Sequence, residues 1–261
     1  MQAENEQPYT LPPGRWHLEQ RWGEMLLAHW PLDPAIAEGV LPEGLVPDIY
    51  HGQIWLTMEC LCRDQIRYAK LLPVPAISRI PEVNLLLTVR DAHSGEPAHL
   101  MLSKDIGCPI AALVTRFLFH MPSKWAEIYF ERHPERSFSI VSRRHFSSTP
   151  AVFRARYRPT GALVLMQNLR PGTFEHFLVE RYSLFVLSPG GMLLRHRVHH
   201  LPWRLEKAEA EIEENSLAAA LGIDLPDRPS LLHYVDALAV HIERGVPAGS
   251  PAAGVLRPAV G

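Results

Sequence analysis

From Ile49 to Ile242 the chain breaks into short runs of β-type sequence, and Gly, Pro, Asn, Asp and Ser punctuate several of their ends. Successive side chains of a strand point to opposite faces, so a run with one apolar face marks a half-buried strand. Trp55, Thr57, Glu59 and Leu61 share one face of such a run over 49–62. Further strands are predicted over 83–91, 99–105, 125–131, 138–145, 152–158, 182–187, 192–199, 208–212 and 231–242. A first structured stretch covers 16–30. His93-Ser94-Gly95-Glu96 and Ser188-Pro189-Gly190-Gly191 are hairpin turns, and the three prolines of 71–81 predict a loop there. Helical signals are short. Asp33-Pro34 opens one that stops near Gly39, Pro109 opens Ala111–His120, Thr173 caps one through Glu180, and Asn215 or Ser216 caps one that ends at Gly222. With no long helix between strands, a doubly wound parallel sheet is excluded. The expected class is α+β, mainly antiparallel β, closed into a barrel that hides its strand edges, with a few short peripheral helices. A single domain is expected over 16–243, preceded by a flexible arm (1–15) and followed by a disordered Pro/Ala/Gly tail (244–261).

Apolar residues make up 47% of the chain and charged residues 21%, enough for a sizeable core, and the formal net charge of −2 is well mixed. No basic patch points to nucleic acid. The 26 basic residues are 22 Arg and 4 Lys, so only Lys70, Lys104, Lys124 and Lys207 could form an imine. The start of the sequence lacks a signal-peptide pattern, and no window approaches the ~20 apolar residues of a membrane span. Three cysteines, Cys60, Cys62 and Cys108, do not make a disulfide framework. The expectations are a cytoplasmic protein with a small-molecule ligand, no nucleic-acid or membrane partner, no metal and no cofactor. Cys60 and Cys62 read as buried thiols on one strand face.

Polar residues within apolar strand sequence carry the functional signal, because a buried polar group must be paired or used. Glu82 and Asn84 share one strand face, and Ser103 and Asp105 share a face of the next strand. If the hairpin brings the four together in one cavity, one of two close carboxylates is pushed upward and becomes a general acid or base near neutral pH. The alternative pairs Glu82 and Asp105 with Arg116 and Arg90 at the rim. Arg116 or Arg181 could hold an anion through a fork of donors. Glu180-Arg181-Tyr182, His200 and His29 read first as hydrogen-bonded junction residues. Neither a nucleophile elbow, nor a phosphate loop, nor an HExxH or paired CxxC motif is present.

Several segments, taken together, resemble the uncharacterised bacterial family called domain of unknown function two thousand seventy-one. They are His29-Trp30-Pro31; Leu41-Pro42-x-Gly44-Leu45-x-x-Asp48-x-x-x-Gly52-x-x-Trp55; Pro81-Glu82-Val83-Asn84; Ser103-x-Asp105; Phe177-Leu178-x-Glu180-Arg181-Tyr182; and His200-x-Pro202-Trp203-x-Leu205-x-x-Ala208. That family is similar in fold to the acetoacetate decarboxylase-like superfamily, which implies a cone-shaped antiparallel barrel with an interior pocket and, often, a homo-oligomer. Decarboxylases of the superfamily attack a ketone with a lysine whose pKa a neighbouring cation depresses. In the similar stretch Lys104-Asp105-Ile106-Gly107-Cys108-Pro109-Ile110-Ala111, Ile110 and Ala111 stand where the superfamily has a lysine pair. The resemblance therefore implies that imine chemistry is lost, and strand alternation turns Lys104 away from Ser103 and Asp105, toward solvent or the rim. The family often has Asn-x-Arg where this chain has Asn84-Leu85-Leu86, and Leu-Pro-Tyr where it has Met121-Pro122-Ser123, so an altered pocket is implied. The expected activity is that of a metal-independent lyase-type enzyme on a carbonyl or carboxylate metabolite. Glu82 or Asp105 would be the acid/base, with Asn84, Ser103, Arg116, Arg181, Tyr182 and His200 around the substrate. The alternative is a non-catalytic binding or sensing protein.

Overall fold

A computed structural model describes residues 17–68, 79–164 and 170–248. In chain order the elements are β1 (Leu18–Leu32), α1 (Ile36–Val40), β2 (Leu45–Pro47), β3 (Ile54–Tyr68), β4 (Arg79–Asp91), β5 (Pro97–Ile106), α2 (Pro109–Leu118), β6 (Ser123–His133), β7 (Ser137–Arg144), β8 (Val152–Leu163), α3 (Phe174–Val179), β9 (Ser183–Leu187), β10 (Leu193–His200), β11 (Glu206–Asn215), β12 (Leu231–Ile242) and β13 (Val246–Pro247). The class is α+β, dominated by antiparallel strands. Among the described residues only the β5–β6 and β5–β9 pairings are parallel.

The pairings close on themselves twice. One ring runs β12–β1–β3–β4–β5–β9–β10 and returns to β12. A second leaves β5 through β6, β7, β8 and β11 and rejoins β12, so that both rings share the wall β12–β1–β3–β4–β5. Each shared strand therefore faces two interiors, and its alternate residues divide between them. Met58, Cys60, Val83, Leu85, Phe138, Ile140, Phe153 and Tyr157 pack into one core, on the β6–β8 side. Leu18, Leu27, Leu61, Leu86, Met101, Val198, Val240 and Ile242 form the other. Because both of their faces meet an interior, β4 and the first ten residues of β3 are buried almost throughout. Cys60 and Cys62 are buried free thiols, and Cys108 is partly buried.

β12 spans the predicted residues, and both hairpin turns are present. The other differences have local causes. β4 starts at Arg79, so three residues of the predicted 71–81 loop are strand. Pro81 sits near the start of β4, where the backbone N–H it lacks matters least, and its carbonyl accepts Gly107 N–H at 3.0 Å. Residues 69–78 lie outside the described part of the chain, as do the predicted arm at 1–15 and the tail from 249. Within that tail, however, Val246–Pro247 form a short strand on β10, and Ala248 packs against the first core. Asp33 stands before α1 as predicted, but its carboxylate accepts from Ala35 N at 2.8 Å and the helix begins one turn-step later.

At the β5–α2 junction backbones come close. A Cβ on Gly107 would lie 2.8 Å from Pro81 Cγ and 3.4 Å from Ile128 Cβ. A proline ring cannot rotate away, so the junction must open. We expect Gly107→Ala to lose about 1–3 kcal/mol of stability, measured by urea or thermal unfolding. An unchanged midpoint would mean that this approach is looser than it looks.

Candidate functional site

The ring closed by β9 and β10 surrounds a small chamber with a free volume of about 60 Å3. Most of the wall is apolar: Leu18, Trp22, Leu86, Met101, Met121 and Val198 contribute. Into it project several charged groups. β3 supplies Glu59 and Arg63, two turns of the pleat apart on one face, and the ladder places Asn84 opposite Glu59 and Lys104 opposite Asn84. Glu82, two residues before Asn84, is on the same side.

These side chains form one continuous chain of contacts. Arg63 Nε lies 2.6 Å from Glu82 Oε1, an ion pair in which the N–H is not aligned for a hydrogen bond. Glu82 Oε2 in turn accepts a short hydrogen bond from Lys104 Nζ. Lys104 also donates to Asn84 Oδ1 (3.2 Å), and Asn84 Nδ2 donates to Glu59 Oε2 (3.1 Å). Arg63 reaches Gln20 Oε1 at 3.4 Å. All six are buried, Glu82 and Arg63 to 1% exposure. Burial lifts the Glu59 carboxyl to about 7, opposed by the Asn84 hydrogen bond and by Lys104 and assisted by Glu82. Burial also lowers the Lys104 ammonium, with Glu82 pulling it back up and Arg63 pushing it further down. The wall thus carries a proton-exchanging carboxyl beside a cation.

The sequence-derived candidates separate. Glu82 and Asn84 belong to this wall. Ser103 and Asp105 do not: they face the opposite side of β5, where Arg144 from β7 donates to Asp105 Oδ1 (2.8 Å) and Ser103 Oγ (2.6 Å). The expectation that the four residues share one cavity is corrected, because alternation along β5 puts Lys104, not its neighbours, beside Asn84. The proposed rim pairing is corrected too, since Glu82 contacts Arg63 and Lys104, and Arg90 binds Asp48. Lys104 is neither solvated nor at a rim; it is 6% exposed and lines the chamber. Arg116 is not among the lining residues and donates to the Ser123 carbonyl. Arg181 reaches the chamber, but its Nε and Nη1 are committed to Phe177 O, Asp48 Oδ2, Ala98 O and Val89 O. That is the junction role. Tyr182 donates to Glu180 Oε2 (2.5 Å) and stacks on His200, whose ring lines the chamber and donates from Nδ1 to Leu201 O (2.9 Å). His29 bonds Thr57 Oγ1 (2.9 Å) and His233 Nδ1 (3.2 Å). Among the described residues no three His, Cys, Asp or Glu converge as a metal-holding group.

Glu59 and Arg63 were not singled out by sequence reasoning. The signal was there: they are the only charges on the pocket face of β3 until the strand nears its exposed end, with Leu61 between them. At the head of α2, Ile110 is exposed and Ala111 is buried in a small satellite core, so no amine enters the chamber from that helix.

The family model described as an uncharacterized conserved protein, domain of unknown function two thousand seventy-one, matches residues 19–239. The chain belongs to that family. A relative in it, the uncharacterized protein YqjF of Bacillus subtilis, is 34% identical over 225 residues, covering 86% of this chain and 90% of its own. Among solved structures, the enduracididine biosynthesis enzyme MppR complexed with pyruvate superposes with a TM-score of 0.62 at 14% identity, covering 94% of this chain and 95% of that one. Acetoacetate decarboxylase from Legionella pneumophila gives 0.60 at 12% (94% and 93%). An acetoacetate decarboxylase-like enzyme from Sphingomonas wittichii gives 0.57 at 18% (88% and 92%). At these identities the likeness shows the fold, and the fold is acetoacetate decarboxylase-like. No helix among the described residues is long and apolar enough to cross a membrane.

Proposed function

We propose that this protein is a lyase-type enzyme that stabilises an enolate of a small carbonyl-bearing carboxylate, using Glu59 as the general acid/base and the Lys104 ammonium as the oxyanion donor. The observation that carries the reading is the contact chain Arg63–Glu82–Lys104–Asn84–Glu59 on the wall of a mostly apolar chamber. An ammonium has three N–H donors. Glu82 and Asn84 take two, and the third is available to a substrate carbonyl oxygen. When a bond at the carbon next to that carbonyl breaks, its electron pair moves onto the oxygen, where Lys104 meets the charge in a poorly solvated site. Glu59, balanced near 7, removes or returns the proton at that carbon. Glu82 then acts as the fixed counter-ion rather than as the base. Decarboxylation, dehydration and aldol-type cleavage share this step, and pyruvate bound by a structural relative lends it support.

The step can be observed without knowing the whole reaction. Exchange of the protons next to the carbonyl of α-oxo acids in D2O, followed by NMR, is expected to accelerate with the wild-type protein and to fall by about a hundredfold or more with Glu59→Gln. The pH profile of exchange should bend near pH 7, where Glu59 titrates. Binding without accelerated exchange across the series would move the protein to the binding or sensing class. Borohydride added with an α-oxo acid is expected to leave the protein mass unchanged, and a reduced adduct on Lys104 would replace the ammonium role by an imine.

A further inference from the structure

The chamber is small and almost sealed. At about 10–15 Å3 for each water-sized group, its free volume of about 60 Å3 takes roughly four to six of them. A three-carbon oxo acid, with about six non-hydrogen atoms, is at the upper limit of what enters without the wall giving way. The lining residues are all buried except Trp22 and His99, which are partly exposed. These two stand at opposite ends of the shared wall. The ladder joins Trp22 to Arg63 and Arg63 to Ile80, whereas His99 pairs with Thr88. The rank Glu59–Asn84–Lys104 crosses midway between them. A bulge at Leu102 separates His99 from Lys104 along β5 and shifts the alternation by one residue, so that both line the chamber.

The two ends are built differently. At the His99 end the neighbouring Arg181 is held by Phe177, Asp48, Val89 and Ala98, a set of hydrogen bonds that ties three strands and a helix together. That end is fixed. At the other end β1 turns Leu18, Gln20 and Trp22, alternate residues of one face, to the chamber. Gln20 accepts from Arg63, and Arg63 is paired with Glu82, but Trp22 takes no part in that chain of contacts. Its indole is the bulkiest side chain that β1 and β3 give the chamber, and it packs against the apolar residues of the second core. Lining the interior on one side and partly exposed on the other, it separates the two.

We propose that Trp22 sets the size limit of the site: it caps the chamber at the Arg63 end and confines the substrate to oxo acids of about three carbons. This deepens the reading of the chamber as a carbonyl-compound site and rests on it. The test is calorimetric titration of straight-chain α-oxo acids of three to six carbons into the wild-type protein, Trp22→Ala and Trp22→Phe. In the wild type, affinity is expected to fall by roughly tenfold or more between the three-carbon and the five-carbon acid, since a filled pocket resists each added methylene. Trp22→Ala removes the cap and should bind the five-carbon acid at least as tightly as the three-carbon one. Trp22→Phe, which is milder for the fold, should shift the limit by about one carbon. Exchange of the three-carbon acid's protons should persist in Trp22→Ala, because Glu59 and Lys104 are untouched. Binding by the wild type that does not weaken with length, or a folded Trp22→Ala variant with the wild-type limit, overturns the role of Trp22 and leaves the acid/base reading standing. Binding of none of the acids by any of the three proteins overturns both.

Discussion

Lowering the pH from 7 to about 5 is expected to cost the protein several kcal/mol of stability, read as a steep fall in Tm. His196, His200 and His233 are buried, and that burial lowers each imidazole to about 4, against an ordinary value near 6.5. His29, bonded between Thr57 and His233, is also lowered well below the ordinary value by the same cause. For a histidine whose folded pKa is depressed, the unfolded chain binds protons first as the pH drops through 6.5, so stability is lost from there down to about 4 and is constant below. At pH 5 each of the three costs about 2 kcal/mol. Glu59 acts in the opposite sense. Its folded pKa of about 7 lies above the unfolded value, so the folded state takes up the proton first, and the same change in pH returns about 2 kcal/mol. The histidines outweigh it, and the net loss is a large part of a typical domain's stability. Thermal unfolding across pH 5 to 7 checks the balance; a flat profile would mean that these rings are hydrated in solution.

The second large effect should come from one carboxylate. Glu82 is the counter-ion of both Arg63 and Lys104, all three being nearly sealed from water. Glu82→Ala strands two buried cations, and a broken buried pair of this kind typically costs about 3–5 kcal/mol. Lys104→Met should cost less, because Glu82 keeps Arg63. The double variant should therefore be more stable than Glu82→Ala alone, the reverse of additive damage. Chemical denaturation of the three variants decides it. Additive losses, or a Glu82→Ala variant as stable as wild type, would show that the wall is hydrated and its charges uncoupled.

Alternation within a strand was legible in the sequence, while the relation between strands was not. Glu82 with Asn84, and Ser103 with Asp105, share faces as read, and the residues of β12 were read end to end. Which face of β5 meets which face of β4 depends on register and on the Leu102 bulge, and a single inserted residue inverts every later side chain. That inversion is why Lys104 was assigned to the rim and Asp105 to the cavity. Glu59 and Arg63 escaped notice because β3 is buried on both faces with apolar residues between them, so its polar positions looked like interruptions rather than a pattern. The two-residue β13 has no periodicity to read. The closing of the strands into one ring was foreseeable from their number; the second ring was not, because it depends on β5 pairing in parallel with both β6 and β9.

On β3 and β4 the wall common to the two rings sets its buried charges among apolar side chains on the chamber surface and turns apolar residues into the other core. Glu59 backs onto Cys60, and Asn84 onto Val83 and Leu85. Adhesion and reactivity are thereby allotted to alternate letters of the same strands. Selection can rewrite the odd positions of β3 to admit a new guest while the even ones go on gripping β6–β8, which lets one scaffold diversify its chemistry without renegotiating how it stays folded.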